Sequence, residues 1–217
     1  MVFPVAAVIG AIVAYLLGSI PTGYLAGRLF KGIDIRQHGS GSTGATNALR
    51  TLGPWPALLV LLVDVLKGAA AIVFAAWLHA WLAASWSTTP PTALELHSVG
   101  PIVVCLAGLA VLLGHGRSIW LNFSGGKSVA TGLGVLLAMS WPVGLGALMV
   151  FGVTLAVSRT VSLGSILAAS TAIGLVCVLD LPLPYRLMVI AGGLYVIVRH
   201  RANIQRLLAG TEPRLAK

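Results

Sequence analysis

The polar residues of this 217-residue chain are few and fall into four segments, at positions 28–50, 114–128, 158–165 and 198–215. In the first segment, glycine, serine and threonine alternate over positions 39–47. Glycines let successive backbone N–H groups converge on an anion. Ser40 adds a hydroxyl donor, and Arg50 can bind a phosphate through two parallel hydrogen bonds. We predict that the binding residues here include Ser42, Thr43 and Asn47. The alternative is a flexible Gly/Ser turn.

The second segment ends in SGGKS, which looks like the end of a phosphate-binding P-loop. That motif requires glycine five residues before Gly126, where this chain has Leu121, and no strand precedes it, so a nucleotide fold is rejected. Gly125 and Gly126 can still expose N–H groups, and Lys127 supplies charge at the start of the next helix. The segment therefore predicts a cradle for a phosphate or carboxylate. The alternative is a Gly-Gly turn beside a lysine.

The two later segments are less specific. Ser158, Ser162 and Ser165 can bind substrate or simply cap and back-bond a helix. His200 and Asn203 share one helix face, at the i and i+3 positions, beside three arginines that could instead face anionic lipid.

Two further charges, Asp64 and Lys67, lie inside an apolar run. They either pair with each other or contact substrate, because a charge within a span is costly without such a role.

Several enzyme classes lack their signatures in this chain. The histidines and cysteines show no metal-ligand spacing, so we predict no metal and no cofactor. No histidine is followed five residues later by Asp, which excludes the HxxxxD signature of soluble-type glycerolipid acyltransferases. There is no GxSxG nucleophile elbow.

The elements that position these segments must be membrane helices. Hydrophobic residues make up 58% of the chain and charged residues 9%, against about 25% charged residues in soluble domains. This excludes a soluble domain, a disordered tail and a nucleic-acid module. We predict an all-α polytopic membrane protein forming one domain, 1–217, with seven spans. The apolar runs are 2–25, 54–82, 99–113, 129–141, 143–157, 163–179 and 184–198.

The charges predict the orientation of these spans. The formal net charge is +9, and 12 of the 14 basic residues lie in alternate loops on one side or in the C-terminal tail. The positive-inside rule therefore places the N-terminus outside and the C-terminus in the cytoplasm. The residues alone thus predict an anion-binding cavity that faces the cytoplasm and has apolar walls suited to a lipid.

Taken together, five stretches resemble the PlsY-type acyl-phosphate:glycerol-3-phosphate acyltransferases. They read GSIPTGYLAGRLFKGIDIRQHGSGSTGATNALRTLG, DVLKG, GH…WLNFSGGKSVATGLG, SLGSI and RHRANIQRLLAGTEPRL. The resemblance implies a seven-span enzyme of the bacterial inner membrane with its active site on the cytoplasmic side. Such an enzyme moves an acyl group from acyl phosphate to the sn-1 hydroxyl of glycerol 3-phosphate, yielding lysophosphatidic acid and phosphate. Its partners are these two substrates and membrane lipid, with no obligate protein partner.

The resemblance also implies roles for individual residues. It places Ser40, Arg50, Lys127, His200 and Asn203 among the catalytic residues. It implies that Gly125, Gly126 and Lys127 bind glycerol 3-phosphate, that Ser165 and its neighbour Ser162 lie in the site, and that Glu212 ties the tail to the core.

Two schemes remain open for the proton of the attacking hydroxyl. Either His200 is the general base, or a substrate phosphate oxygen takes the proton and His200 only donates a hydrogen bond. We favour the second scheme, because no Asp or Glu is placed by sequence to orient His200. A transporter for a phosphorylated small molecule is the competing class, and it predicts polar residues along a route to the outside.

Overall fold

The computed structural model describes the backbone of residues 2–86 and 93–215, and the side chains of all of these except 93–99. Within these ranges the backbone forms ten α-helices and no β-strand. They are α1 (Val2–Ser19), α2 (Thr22–Lys31), α3 (Ala45–Leu52), α4 (Pro54–Trp86), α5 (Ala93–Gly116), α6 (Val129–Met139), α7 (Trp141–Ser158), α8 (Val161–Val178), α9 (Leu183–Arg199) and α10 (Arg201–Leu208).

The predicted all-α fold is confirmed. Five of the seven apolar runs each fall within one helix, to within a residue. The first is divided between α1 and α2, and the fourth, 129–141, continues past the end of α6 to the first residue of α7. In the described part of the chain, four helical stretches are long and apolar enough to cross a membrane: Val2–Lys31, Pro54–Trp86, Trp141–Ser158 and Val161–Val178. The helices α5, α6 and α9 are apolar but shorter over their described parts. The chain is therefore a multi-pass helical membrane protein, and the count of seven spans stays a prediction.

The first apolar run departs from its predicted bounds. It does not continue as one helix to Leu25, because α1 ends at Ser19 and α2 begins at Thr22. Pro21 lies in the break and has no N–H to continue the helix. The interruption frees the carbonyl of Ile20, which accepts a hydrogen bond from the ammonium of Lys67 at 2.9 Å. The break thus shapes a buried polar cluster inside the bundle.

Helices α4 and α6 touch backbone to backbone through glycines. A Cβ added to Gly68 of α4 would collide with the carbonyl of Thr131, and one added to Gly134 of α6 would collide with the carbonyl of Val65. Small residues allow such close packing in membranes, where burial of apolar surface drives helix association only weakly. This contact fixes the N-terminal end of α6, which begins two residues after Lys127.

Many large apolar side chains point away from the bundle. Leu66, Val73, Met149 and Val157 are all more than 60% exposed. A soluble protein rarely shows such a surface, whereas lipid tails solvate it well. The polar segments instead gather at one end of the bundle, where α5 and α9 end and α6 and α8 begin.

Candidate active site

A cavity of about 360 Å³ opens at this end, and all four predicted polar segments contribute to its wall. This volume is in the range of sites that bury small molecules. Its polar lining consists of Ser40, Ser42, Thr46, Asn47, Arg50, Asp64, His115, Lys127, Ser128, Ser162, Ser165, His200, Asn203, Arg206 and Glu212. Its remaining wall is mainly aliphatic and comes from α4, α6, α7, α8 and α9.

In the first segment, Asn47 shapes the loop. Its Oδ1 accepts from the backbone N–H of Ser40 at 2.9 Å, and its Nδ2 lies within 3.1 Å of the carbonyl oxygens of Ile35, His38 and Ser42. The side chain is buried, and these contacts occupy its amide. We predicted that Asn47 binds substrate, but its polar atoms are committed to the loop that presents Ser40 and Ser42.

Thr43 lies outside the lining of the main cavity, and its predicted role in binding stays a prediction. It is buried and lines a second, smaller cavity beside Asp34 and Arg36 instead of the main one. Arg50, in the second turn of α3, does reach the wall of the main cavity. Of the predicted residues of this segment, the fold therefore brings Ser40, Ser42, Asn47 and Arg50 to the main cavity.

The second segment forms a loop that hydrogen bonds hold at the carbonyls of both glycines and at the N–H of Gly126. The N–H of Gly126 donates to the carbonyl of His115 at 3.1 Å. The guanidinium of Arg199 donates to the carbonyls of Gly126, at 2.8 Å, and Gly125, at 3.3 Å. Neither glycine lines the main cavity, whereas Lys127 does. The loop is thus clamped and presents Lys127, and substrate binding by the two glycines stays a prediction.

The tail closes around Lys127 through Glu212. Asn203 accepts from the ammonium of Lys127 and donates to Oε1 of Glu212 at 2.6 Å. Ser162 donates to the same oxygen at 2.8 Å, and Arg206 donates to Oε2 at 2.7 Å. Burial raises the pKa of Glu212, but hydrogen bonds from Asn203, Ser162 and Arg206 outweigh it, so the net pKa is lowered. Glu212 therefore joins the tail to α8 and α10 as a carboxylate, as predicted.

Lys127 lies in a surplus of positive charge. Burial lowers its pKa to about 8, nearby Glu212 opposes this, and repulsion from Arg206, Arg199 and Arg50 adds to the lowering. A lysine held among arginines is stabilised in its charged form by any anion that enters. This end of the cavity is therefore suited to a phosphate.

His200 faces the cavity in a defined tautomer. Its Nδ1 lies 2.8 Å from the carbonyl oxygen of Val196. A carbonyl can only accept, so Nδ1 carries the proton and Nε2 of the neutral ring is an acceptor. Burial is the main cause that lowers the pKa of His200 to about 4. The ring is thus neutral near pH 7, and its Nε2 can accept a hydrogen bond from a substrate hydroxyl.

Two residues of the third segment reach the wall in different ways. Ser165 is buried and donates to the carbonyl of Val161 one turn back, at 2.8 Å, as helical serines commonly do. Ser162 contacts Glu212 instead. Both predicted site serines therefore lie at the cavity, with Ser162 also part of the tail's anchor.

The charges within α4 form the ion pair that was one of the two alternatives. The ammonium of Lys67 lies 2.7 Å from Oδ1 of Asp64, and the hydroxyl of Thr22 donates to the same oxygen at 3.0 Å. Sequence reasoning missed His115, whose Nδ1 lies 3.5 Å from that oxygen. Nothing in the sequence around His115 signals this contact, because it joins α5 to α4 and depends on how the two helices pack.

The fold and the cavity define a multi-pass membrane protein with a cavity that is cationic at one end and apolar along its body. A sequence model of the glycerol-3-phosphate acyltransferase family matches residues 8–210, and the chain belongs to that family. It is 73% identical over 217 residues to glycerol-3-phosphate acyltransferase 2 of Rhizobium johnstonii, covering 100% of this chain and 99% of the relative. It is 56% identical over 206 residues to a glycerol-3-phosphate acyltransferase of Acaryochloris marina, covering 95% and 91%.

The fold also matches solved structures of PlsY, described as an integral membrane glycerol 3-phosphate acyltransferase. The glycerol 3-phosphate form superposes with a TM-score of 0.83 at 38% identity, covering 97% of this chain and 96% of that one. The lysophosphatidic acid form superposes with a TM-score of 0.80 at the same identity, covering 97% and 95%. The predicted family is thereby confirmed.

Proposed function

We propose that this chain is a bacterial acyl-phosphate:glycerol-3-phosphate acyltransferase. It transfers a fatty acyl group from acyl phosphate to the sn-1 hydroxyl of glycerol 3-phosphate and releases lysophosphatidic acid and phosphate. The observation that carries this proposal is the cavity itself, which has a cationic end around Lys127 and an aliphatic body between the helices. Both substrates and the lipid product have phosphate groups, and two of these three molecules also have acyl chains.

The chemistry requires orientation and charge stabilisation more than activation, because the acyl phosphate is already reactive. The sn-1 hydroxyl oxygen attacks the acyl carbonyl carbon, and the bond from that carbon to the phosphate oxygen breaks. The leaving group departs as inorganic phosphate. Lys127 and Arg50 neutralise the charge of the two phosphates, and Asn203 holds the ammonium of Lys127 in place.

The hydroxyl proton goes to a phosphate oxygen. With a pKa of about 4, His200 is a weaker base than a phosphate monoester, whose second pKa is about 6. Its free Nε2 instead accepts a hydrogen bond from the sn-2 hydroxyl of glycerol 3-phosphate, which orients the substrate and leaves the sn-1 hydroxyl proton directed at a phosphate oxygen. Substrate assistance thus stands as proposed from the sequence, with His200 as an acceptor in place of the predicted donor.

The cavity favours an enzyme over a transporter. Its polar residues lie at one end, and the wall continues through Ala168, Ala172, Met188 and Val189 on α8 and α9. A transporter for a phosphorylated solute needs polar groups along its whole route, whereas an acyl chain needs an apolar one.

The direct test is a coupled measurement on the purified protein in detergent, with palmitoyl phosphate as donor. We expect phosphate and lysophosphatidic acid to form one for one, and only when glycerol 3-phosphate is present. Palmitoyl-CoA and palmitoyl-acyl carrier protein serve as control donors and should give no product. Phosphate release without acceptor would identify a phosphatase, and transfer from palmitoyl-CoA would overturn the assigned donor.

We further propose that the single domain 1–217 crosses the bacterial inner membrane seven times, with the N-terminus outside and the active site in the cytoplasm. The positive charge around the cavity supports this orientation. The test uses single cysteines at the exposed positions Asp180 and Arg214, in a background where Cys105 and Cys177 are alanine. An impermeant maleimide should label Asp180→Cys in spheroplasts and Arg214→Cys only after permeabilisation. Labelling of Arg214→Cys in sealed spheroplasts would contradict the orientation.

A further inference from the structure

A buried cluster borders the active site but takes no part in the chemistry above. It joins the carboxylate of Asp64, the ammonium of Lys67 and the hydroxyl of Thr22, with both contacts to the carboxylate at 3.0 Å or less. Asp64 and Lys67 are 1% and 6% exposed. Buried charges persist when they are paired and hydrogen-bonded, and here both requirements are met. The cluster is therefore a fixed point inside the bundle.

His115 connects this fixed point to the active-site loop. On one side its Nδ1 lies 3.5 Å from Oδ1 of Asp64. On the other side, its Nε2 occupies the space that a side chain at position 126 would need, because a Cβ built on Gly126 would collide with that nitrogen. The carbonyl of His115 also accepts from the N–H of Gly126. The histidine thus holds the loop through its ring and through its backbone.

The opposite side of the same loop is held by Arg199, which donates to the carbonyls of Gly125 and Gly126. The loop therefore lies between a histidine and an arginine, with Lys127 as the next residue. A displacement of the loop against His115 would displace the ammonium that faces the cavity. Misplacement by about 1 Å can cost two orders of magnitude in rate.

We propose that His115, anchored by Asp64, is a positioning residue for the glycerol 3-phosphate subsite. It acts through the Gly125–Gly126 turn on Lys127, and this inference rests on the proposed function. It also gives glycine at position 126 a reason other than approach to a phosphate: the residue must leave room for the imidazole.

The test is a double-mutant cycle between His115→Ala and Gly126→Ala. Each single variant should raise the KM for glycerol 3-phosphate about tenfold or more, with the KM for acyl phosphate within about twofold. In the double variant, the methyl group introduced at position 126 occupies the space left by the imidazole. Adding Gly126→Ala to His115→Ala should therefore raise that KM no further.

Two outcomes would overturn the proposal. If Gly126→Ala raises the KM by the same factor with and without His115, the glycine acts on the phosphate directly. If His115→Ala lowers kcat and leaves the KM for glycerol 3-phosphate unchanged, the histidine takes part in the chemistry. Complete absence of glycerol 3-phosphate acylation by the wild-type protein would instead count against the proposed function.

Two further variants separate positioning from folding. His115→Asn keeps an amide nitrogen near the place of Nδ1, and with it the contact to Asp64, while it removes the part of the ring against Gly126. It should relieve the effect of Gly126→Ala as His115→Ala does, and a failure to do so would contradict the proposal. His79→Ala is the matched control, since His79 is buried to the same 7% exposure and lies outside the cavity lining. It should leave both KM values unchanged.

Discussion

Two carboxylates organise the charges of this molecule, and they differ in how many cations surround them. Asp64 is paired with one lysine, and both side chains are almost fully buried. Glu212 is paired with Arg206. Lys127 is also attracted to Glu212, and it is repelled by Arg206, Arg199 and Arg50. The first cluster is nearly balanced, whereas the second has a surplus of positive charge.

The difference indicates which cluster receives substrate. A balanced buried pair has no charge left for a ligand and serves to hold helices together. A surplus of cations at the mouth of an apolar cavity attracts an anion, and the anion in turn relieves their repulsion. We therefore assign structure to the cluster of Asp64 and phosphate binding to the cluster of Glu212.

The largest effect is expected in the cluster around Asp64, where positive and negative charges nearly balance. Lys67→Met leaves the carboxylate of Asp64 buried without its main partner, which should cost about 3–5 kcal/mol of unfolding free energy. Thermal unfolding in detergent measures the loss. The double variant Asp64→Asn with Lys67→Met removes both charges and should regain most of the stability. A Lys67→Met protein of wild-type stability would show that the pair contributes nothing to the fold.

In the cluster around Glu212, which has the surplus of positive charge, replacement of a lysine by methionine should lower activity instead of stability. Lys127→Met should lower kcat/KM for glycerol 3-phosphate by about 10²–10³-fold, the usual cost of losing a charged group that stabilises a transition state. Its melting temperature should not fall, because the variant removes a partly buried like charge. Lys31→Met, at an exposed lysine, is the control and should retain activity. A Lys127→Met protein that loses stability and keeps its activity would show that the cluster around Glu212 is structural.

The helices were the part of the fold most accessible from the sequence. The apolar runs gave helices because backbone groups in lipid must be satisfied within the helix itself. The break between Ser19 and Thr22 was not predicted, although Pro21 was visible. Its consequence depends on Lys67, 47 residues away, which takes the freed carbonyl. Such a contact has no local signal.

The sequence predicted which segments form the site more accurately than it predicted the contacts that their side chains and backbone groups make. Charge and residue type indicated Arg50, Lys127 and His200, and the fold brings all three to one cavity. Asn47 and Gly126 had the composition of an anion-binding loop, yet their polar groups bond to the protein itself. Composition shows that a loop can present donors, whereas only packing shows where the donors point.

His200→Gln tests whether His200, which lines the same cavity, is a hydrogen-bond acceptor or the general base. The amide oxygen of glutamine can replace Nε2 as an acceptor, so we expect a loss of no more than about tenfold, near that of one hydrogen bond between neutral groups. The kcat profile of both proteins should keep a limb near pH 6, where the substrate phosphate titrates. If the wild type instead shows a limb near pH 4 that the variant lacks, His200 is the base.

An effect of similar size is expected in the pH dependence of Lys127. Because the pKa of Lys127 is about 8, its side chain in the free enzyme is mostly charged below pH 8 and mostly neutral above it. We therefore expect kcat/KM for glycerol 3-phosphate to fall above pH 8, to about a tenth of its plateau at pH 9. In kcat the limb should lie at higher pH, because bound phosphate stabilises the ammonium. Lys127→Arg should abolish the limb, and an unchanged limb in that variant would assign it to another group.

The central claim, that the surplus of cations around Glu212 is the phosphate site, is tested most directly by calorimetric titration of glycerol 3-phosphate. The account predicts one site per chain in the wild-type protein, no binding of glycerol, and at least about tenfold weaker binding in Lys127→Met. Glycerol 3-phosphate binding of wild-type strength in folded Lys127→Met would contradict the account.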